Sequence, residues 1–129
     1  MSMSELHGEL EQFDELLHPF IMLIDFVQGL APGHFEKGKN RWTYNPNFLS
    51  LTIHYKRRKH IVVFVRGWPS EYASMDHLPL VSCGSGSYSK CYVESVMQMD
   101  ALLFYVRRSH ELWNKGRGRE GTRQRLVEE

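Results

Sequence analysis

Cysteine is scarce in this chain. Of its 129 residues only Cys83 and Cys91 are cysteines. Their spacing would allow a bridge across a hairpin, but no basic stretch followed by an apolar core opens the sequence as a secretory leader would. Reduced thiols and a cytoplasmic protein are the expectation. Long hydrophobic runs are missing too. The longest, residues 20–27, is interrupted by Asp25 and falls far short of the roughly 20 apolar residues of a membrane-spanning helix, so no membrane partner is expected. Acidic residues are absent from the stretch between Lys37 and Arg66. That removes the carboxylate pair plus lysine which metal-dependent phosphodiester cleavage would need there.

The sites of other chemistries are equally absent. Seven histidines are scattered at positions 7, 18, 34, 54, 60, 77 and 110, with no His-Glu-x-x-His or Cys-x-x-Cys spacing to hold a metal. The run Cys83-Gly-Ser-Gly-Ser lacks the Gly-Lys-Ser/Thr ending of a phosphate-binding loop and the Gly-x-Ser-x-Gly of a nucleophile elbow. A cysteine nucleophile would need a base beside it, and only His77 and Asp76 offer themselves by proximity in sequence. No catalytic residues, metal or cofactor are therefore assigned, and the reading leans away from an enzyme.

Apolar residues make up 42% of the chain and the formal net charge is +1, which suits one packed domain and gives no bulk attraction for polyanions. The charges are nevertheless segregated. Before Glu36 every charged residue is acidic; between Lys37 and Arg66 every one is basic; and the tail adds Lys115, Arg117, Arg119, Arg123 and Arg125. Such a distribution makes a dipolar surface with one anion-attracting region.

Hydrophobic periodicity predicts an α+β fold. Residues 4–30 read as helix, with Phe13, Leu16, Leu17, Phe20, Ile24 and Val27 on one stripe. Pro19 either kinks that helix or opens a second one. Residues 35–44 make a weak strand, Asn45-Pro46-Asn47 a turn, and residues 48–55 and 61–65 a hairpin around Lys56, Arg57, Arg58 and Lys59. The second hairpin strand is apolar on both faces, as a central strand is. Residues 67–80 look irregular. A strand over 88–94 alternates Tyr88, Lys90, Tyr92 and Glu94 against Ser89, Cys91 and Val93. Ser95 and Gln98 form a capping-box pattern before a last helix striped by Met99, Leu102, Leu103, Val106, His110 and Trp113, with Arg107 and Glu111 as an ion pair on its polar side. The expected architecture is a two-layer sandwich: an antiparallel sheet of about four strands with the N- and C-terminal helices on one face, spanning residues 1–114 and followed by a disordered basic tail over 115–129.

Trp42-Thr-Tyr44, Asn47-Phe48, Tyr55-Lys-Arg-Arg-Lys59, Gly84-Ser-Gly-Ser-Tyr88 and the Ser95-capped helix follow one another in an order that resembles a family of small uncharacterised domains. Members of that family occur alone or appended to predicted restriction-type endonucleases, and are loosely labelled predicted transport proteins. The resemblance covers roughly residues 13–113 and leaves out 67–82. It implies a binding module associated with nucleic-acid enzymes rather than an enzyme, and carries over no functional residues.

Three surfaces are candidates for function. Lys56, Arg57, Arg58, Lys59 and His60, joined by Lys37, Lys39 and Arg41 from the preceding strand, are placed to contact the phosphates of a nucleic acid or another polyanion, with Trp42 and Tyr44 adding aromatic surface. The breadth of the apolar stripe on the last helix suggests burial by the sheet and also by a second copy, with Tyr105 and Leu112 in a homodimer interface. Trp68, Tyr72, His77 and Cys83 are the residues that would line a small-molecule or catalytic cleft in the segment 67–87.

Overall fold

The computed structural model describes residues 2–83 and 88–116. The basic tail and the glycine-serine turn at 84–87 lie outside them, apart from Lys115 and Gly116. The fold is α+β. Helix α1 (Ser2–Leu10) and helix α2 (Leu17–Leu30) precede strands β1 (His34–Lys37), β2 (Trp42–Asn45), β3 (Leu49–His54), β4 (His60–Arg66), β5 (Val81–Ser82) and β6 (Tyr88–Val93), and helix α3 (Met99–Asn114) is the last element among the described residues. All strand pairs are antiparallel, in the order β1-β2-β3-β4-β6-β5.

The sheet thus has six strands, not about four. Residues 35–44 split into β1 and β2 because the Gly38 N–H donates to the Arg41 carbonyl at 2.8 Å and closes a turn between them. The other addition, β5, is a two-residue edge strand cut from the segment read as irregular. The long N-terminal helix is likewise two helices. Pro19 stands in the first turn of α2, where its missing N–H has no intrahelical partner to lose.

Strand alternation sorts the side chains cleanly. Leu49, Leu51 and Ile53 of β3 pair in register with Val65, Val63 and Ile61 of β4, and these with Ser89, Cys91 and Val93 of β6. Phe35, Trp42 and Tyr44 extend this set across β1 and β2. The apolar residues of this set share one core cluster with Leu6, Leu10, Phe20, Ile24, Leu102 and Val106 of the helices, with Ile53 packed against it. Burial pushes the Cys91 thiol up to about 12, so it is an inert core residue; Cys83 is also a free thiol.

Ser95 and Gln98 cap as the sequence predicts. The Ser95 hydroxyl accepts from the Met97 N–H at 3.1 Å, and the Gln98 side-chain oxygen accepts from the Glu94 and Ser95 N–H groups at 2.7 and 3.1 Å. They cap a single 3-10 turn that leads into α3. Of the predicted stripe Met99, Leu102 and Val106 are buried and Leu103, His110 and Trp113 only partly; of the residues that broaden it Ala101, Tyr105 and Leu112 are buried and Phe104 is exposed, and Ser109 is buried beside them. Glu111 pairs with Arg108 rather than Arg107, whose guanidinium lies 5.8 Å from the Phe26 ring.

Ser109, at 0% exposure, explains why this side turns inward. Its hydroxyl donates to the Phe48 carbonyl at 2.6 Å and accepts from the Arg66 N–H at 2.8 Å. One side chain of α3 therefore ties the start of β3 to the end of β4.

The segment between β4 and β5 is ordered by contacts rather than by periodicity. Gly67 turns the chain at φ +93°, a conformation that suits glycine. A Cβ there would also come within 2.7 Å of Leu112. A 3-10 turn follows at Pro69–Glu71. The Tyr72 hydroxyl donates to the Arg66 carbonyl, the Tyr105 hydroxyl donates to the Leu78 carbonyl at 2.5 Å, and the two rings meet edge to face. This strap covers the second side of α3.

Candidate nucleic-acid interface

The expected basic cluster does not gather in one place. Lys37 and Arg41 are separated by a turn that reverses the chain, so they point to opposite sides of the sheet. Lys37 falls on the side of the helices, ion-paired with Glu9 and 5.2 Å from the Trp42 ring. The hydrogen bond to Glu9 holds its pKa above the ordinary lysine value. Glu9 also accepts from the Trp42 indole at 3.1 Å, so α1 is pinned to β1 and β2 through one carboxylate. Trp42 and Tyr44, expected as aromatic surface, are in the core. Arg58 holds Glu94 with two nitrogens, Nη2 donating to Oε1 at 2.8 Å. Lys59 donates to the Gln12 carbonyl at 2.8 Å. Lys39, Lys56 and Arg57 are exposed, Lys39 in the β1–β2 turn and the other two at the β3–β4 tip.

Arg41 leads instead to a surface that the basic cluster alone did not mark. Ser50, Thr52 and His54 of β3, His60, Val62, Phe64 and Arg66 of β4, and Tyr88, Lys90 and Tyr92 of β6 occupy the strand positions opposite the core set. None of these ten is a carboxylate. Val62 is the one buried apolar residue of these strands outside the core cluster, and is covered to 5% exposure.

Cations and rings interleave across this face. The Arg41 guanidinium lies 3.8 Å from the Phe64 centroid and 6.0 Å from that of Tyr88. Arg66 is 5.7 Å from Tyr88 and 5.4 Å from Trp113, while its Nε donates to the Asn47 carbonyl at 2.8 Å. Lys90 is 5.7 Å from Tyr92. Such distances are those of cation–π contacts.

Toward the tip, His54 and His60 stack across β3 and β4 with centroids 4.6 Å apart and planes within 8°. His60 donates through Nδ1 to the Arg58 carbonyl at 2.9 Å when that nitrogen carries its proton. Tyr92 stands 6.0 Å from His60. Burial, and then the neighbouring His60, lower the pKa of His54 below its ordinary value. Two shallow concavities meet at Arg58 and His60. One, of about 240 Å³, is lined by Arg58, His60, Tyr92 and Glu94; the other, of about 510 Å³, by residues of the tip from Ile53 to His60.

The remaining candidates are dispersed. Tyr105 and Leu112 are 1% and 3% exposed in the chain's own core, so the strap and the sheet already cover what a second copy was expected to cover. Of the cleft residues, Trp68 is exposed and Tyr72 is buried against Tyr105. His77 meets the Asp100 carboxylate at 3.2 Å, and Cys83 follows β5, its thiol pKa raised by burial. Among the described residues no group of three or more His, Cys, Asp or Glu could hold a metal ion, and no helix is long and apolar enough to cross a membrane. The chain matches no protein-family model, and no curated protein or solved structure is significantly similar to it.

Proposed function

We propose that this chain is a binding module, not an enzyme, and that it contacts nucleic acid through the sheet face bearing Arg41, Arg66 and Lys90 and through the adjoining tip with Lys56 and Arg57. The observation that carries this reading is the run of ten facing positions with cations over rings and no carboxylate. The fold is read as a two-layer sandwich whose helices cover the other face, which leaves this one for a ligand. Phosphates are attracted to such a surface whatever the base sequence, and rings held between cations suit bases. The resemblance of its motif order to the small-domain family is in keeping with this reading. The protein is placed in the cytoplasm, where such a partner is at hand.

The test is binding of a labelled oligonucleotide at increasing salt. A log-log slope of about −0.7 to −0.9 per phosphate contact is expected, reduced by Lys56→Ala/Arg57→Ala and by Arg41→Ala/Lys90→Ala. Binding that ignores salt and these substitutions would remove the reading. A homodimer is the second reading, favoured by Val96, Met97 and Phe104, large apolar residues exposed at and before the start of α3. Salt-insensitive self-association in light scattering, abolished by Phe104→Ser, would put it first.

A further inference from the structure

Resting on the nucleic-acid reading, we propose that the ligand is single-stranded and that its bases stack on Tyr92 and the His54–His60 pair. These three rings stand on adjacent strands β6, β4 and β3, all on the side away from the core. The two histidines are already coplanar within 8°, and Tyr92 is 44% exposed. Phe64 and Tyr88, in contrast, lie beside Arg41 and Arg66. The surface is therefore graded: exposed rings stand toward the tip, while at the other end the rings lie beneath guanidinium groups.

A duplex has little use for this arrangement. Its bases are stacked on one another and hide their faces, so the exposed rings would have nothing to stack on. An unpaired strand can turn its bases toward rings while its phosphates meet cations, and each base so stacked contributes about 1–3 kcal/mol irrespective of sequence. The charge around Tyr92 fits that division. Lys90 lies 5.7 Å from its ring, while Arg58 and the exposed Arg57 and Lys56 border the two concavities that adjoin His60. The nearest carboxylate in this lining, Glu94, is held by Arg58.

The experiment is fluorescence anisotropy on the full chain with three probes: a labelled oligothymidylate of about twelve nucleotides, within the span of a small β domain, a duplex of the same length, and heparin. The single strand should bind about tenfold or more tightly than the duplex. Tyr92→Ala should weaken it by about tenfold, the loss of one stacked base, with Tyr92→Phe restoring it. Heparin affinity should not respond to Tyr92→Ala but should fall for Lys90→Ala. Ring-proton resonances of His54 and His60 should shift on titration with the oligothymidylate, which reports the site even where affinity changes are small. Equal binding of duplex and single strand, with no response to Tyr92→Ala, would overturn the stacking proposal and leave the polyanion reading standing. A failure of all three probes to bind would overturn both.

Discussion

The guanidinium of Arg41 reaches across β3 to lie 3.8 Å from the ring of Phe64 on β4. The contact joins the turn after β1 to the middle of the sheet and covers an aromatic ring that lies outside the core cluster. In a double-mutant cycle, Arg41→Ala and Phe64→Leu should show a coupling of about 0.5–1 kcal/mol in denaturant unfolding. A coupling of zero would mean that the ring is covered by other neighbours.

Ser109→Ala should be costly for so small a change. It leaves the Phe48 carbonyl and the Arg66 N–H without the partner that now bonds them both, and each orphaned buried group costs about 1–3 kcal/mol. Urea unfolding should show the loss as a lower midpoint with an unchanged slope.

Tyr105→Phe and Leu112→Ala distinguish the chain's own core from a subunit interface. The first deletes the hydroxyl bonded to Leu78 and should cost about 1 kcal/mol; the second opens a core cavity and should cost about 2–5 kcal/mol. Neither should change the molar mass seen by light scattering. Limited proteolysis should find the segment 68–80 more readily cleaved in Tyr105→Phe, because that hydroxyl anchors the strap.

The lowered pKa of His54 sets a sign for the response to acid. Because the folded protein releases this proton more readily than the unfolded chain, whose value is near 6.5, the unfolded state takes it up first as pH falls. Stability should therefore decline from pH 6.5 down through the folded value and be fully lost for this group below it. His54→Gln should flatten that part of the profile in thermal melts. Nucleic-acid binding should run the opposite way, strengthening as His54 gains charge beside Lys56, Arg57 and Arg58. A common direction for both profiles would show that His54 does not adjoin the ligand.

Glu94→Gln should tighten binding of the oligothymidylate a few-fold. It removes the one carboxylate in the trough beside Tyr92 and releases Arg58 from its ion pair. Both partners are solvent-accessible, so unfolding should scarcely change; weaker binding would place the ligand elsewhere.

What the sequence disclosed was local. Ser95 and Gln98 act within four residues, and the hairpin of β3 and β4 needs only its own alternation and a short basic connector. The two extra strands were hidden for physical reasons: β1 and β2 are four residues each around a glycine turn, and β5 is a two-residue edge strand paired with β6. The basic residues misled because nearness in sequence says nothing about facing. Four positions and one reversal send Lys37 and Arg41 to opposite sides, while Arg58 and Lys59 find partners in Glu94 and in the Gln12 carbonyl. The signal for the candidate surface was present as the alternation of Tyr88, Lys90 and Tyr92, but its counterparts Phe64 and Arg66 lay in a strand apolar enough to look covered on both sides. Ser109 gave no signal, since a serine in a helix announces neither burial nor the two strands it bridges.

The alternation of the three central strands also has a meaning for how this protein can change. In β3, β4 and β6 the inward residues are all odd-numbered, and the ten on the other face are all even-numbered. Apart from the covered Ser50 and Val62, and from His54, Phe64 and Arg66, whose contacts bear on stability, the even positions can therefore be rewritten with little effect on what holds the chain together. A saturation library read for abundance should show tolerance with a period of two along each strand, and the same library read for ligand capture should show its complement. Folding and recognition are written on interleaved letters, so natural drift or a designer can revise one message while leaving the other intact.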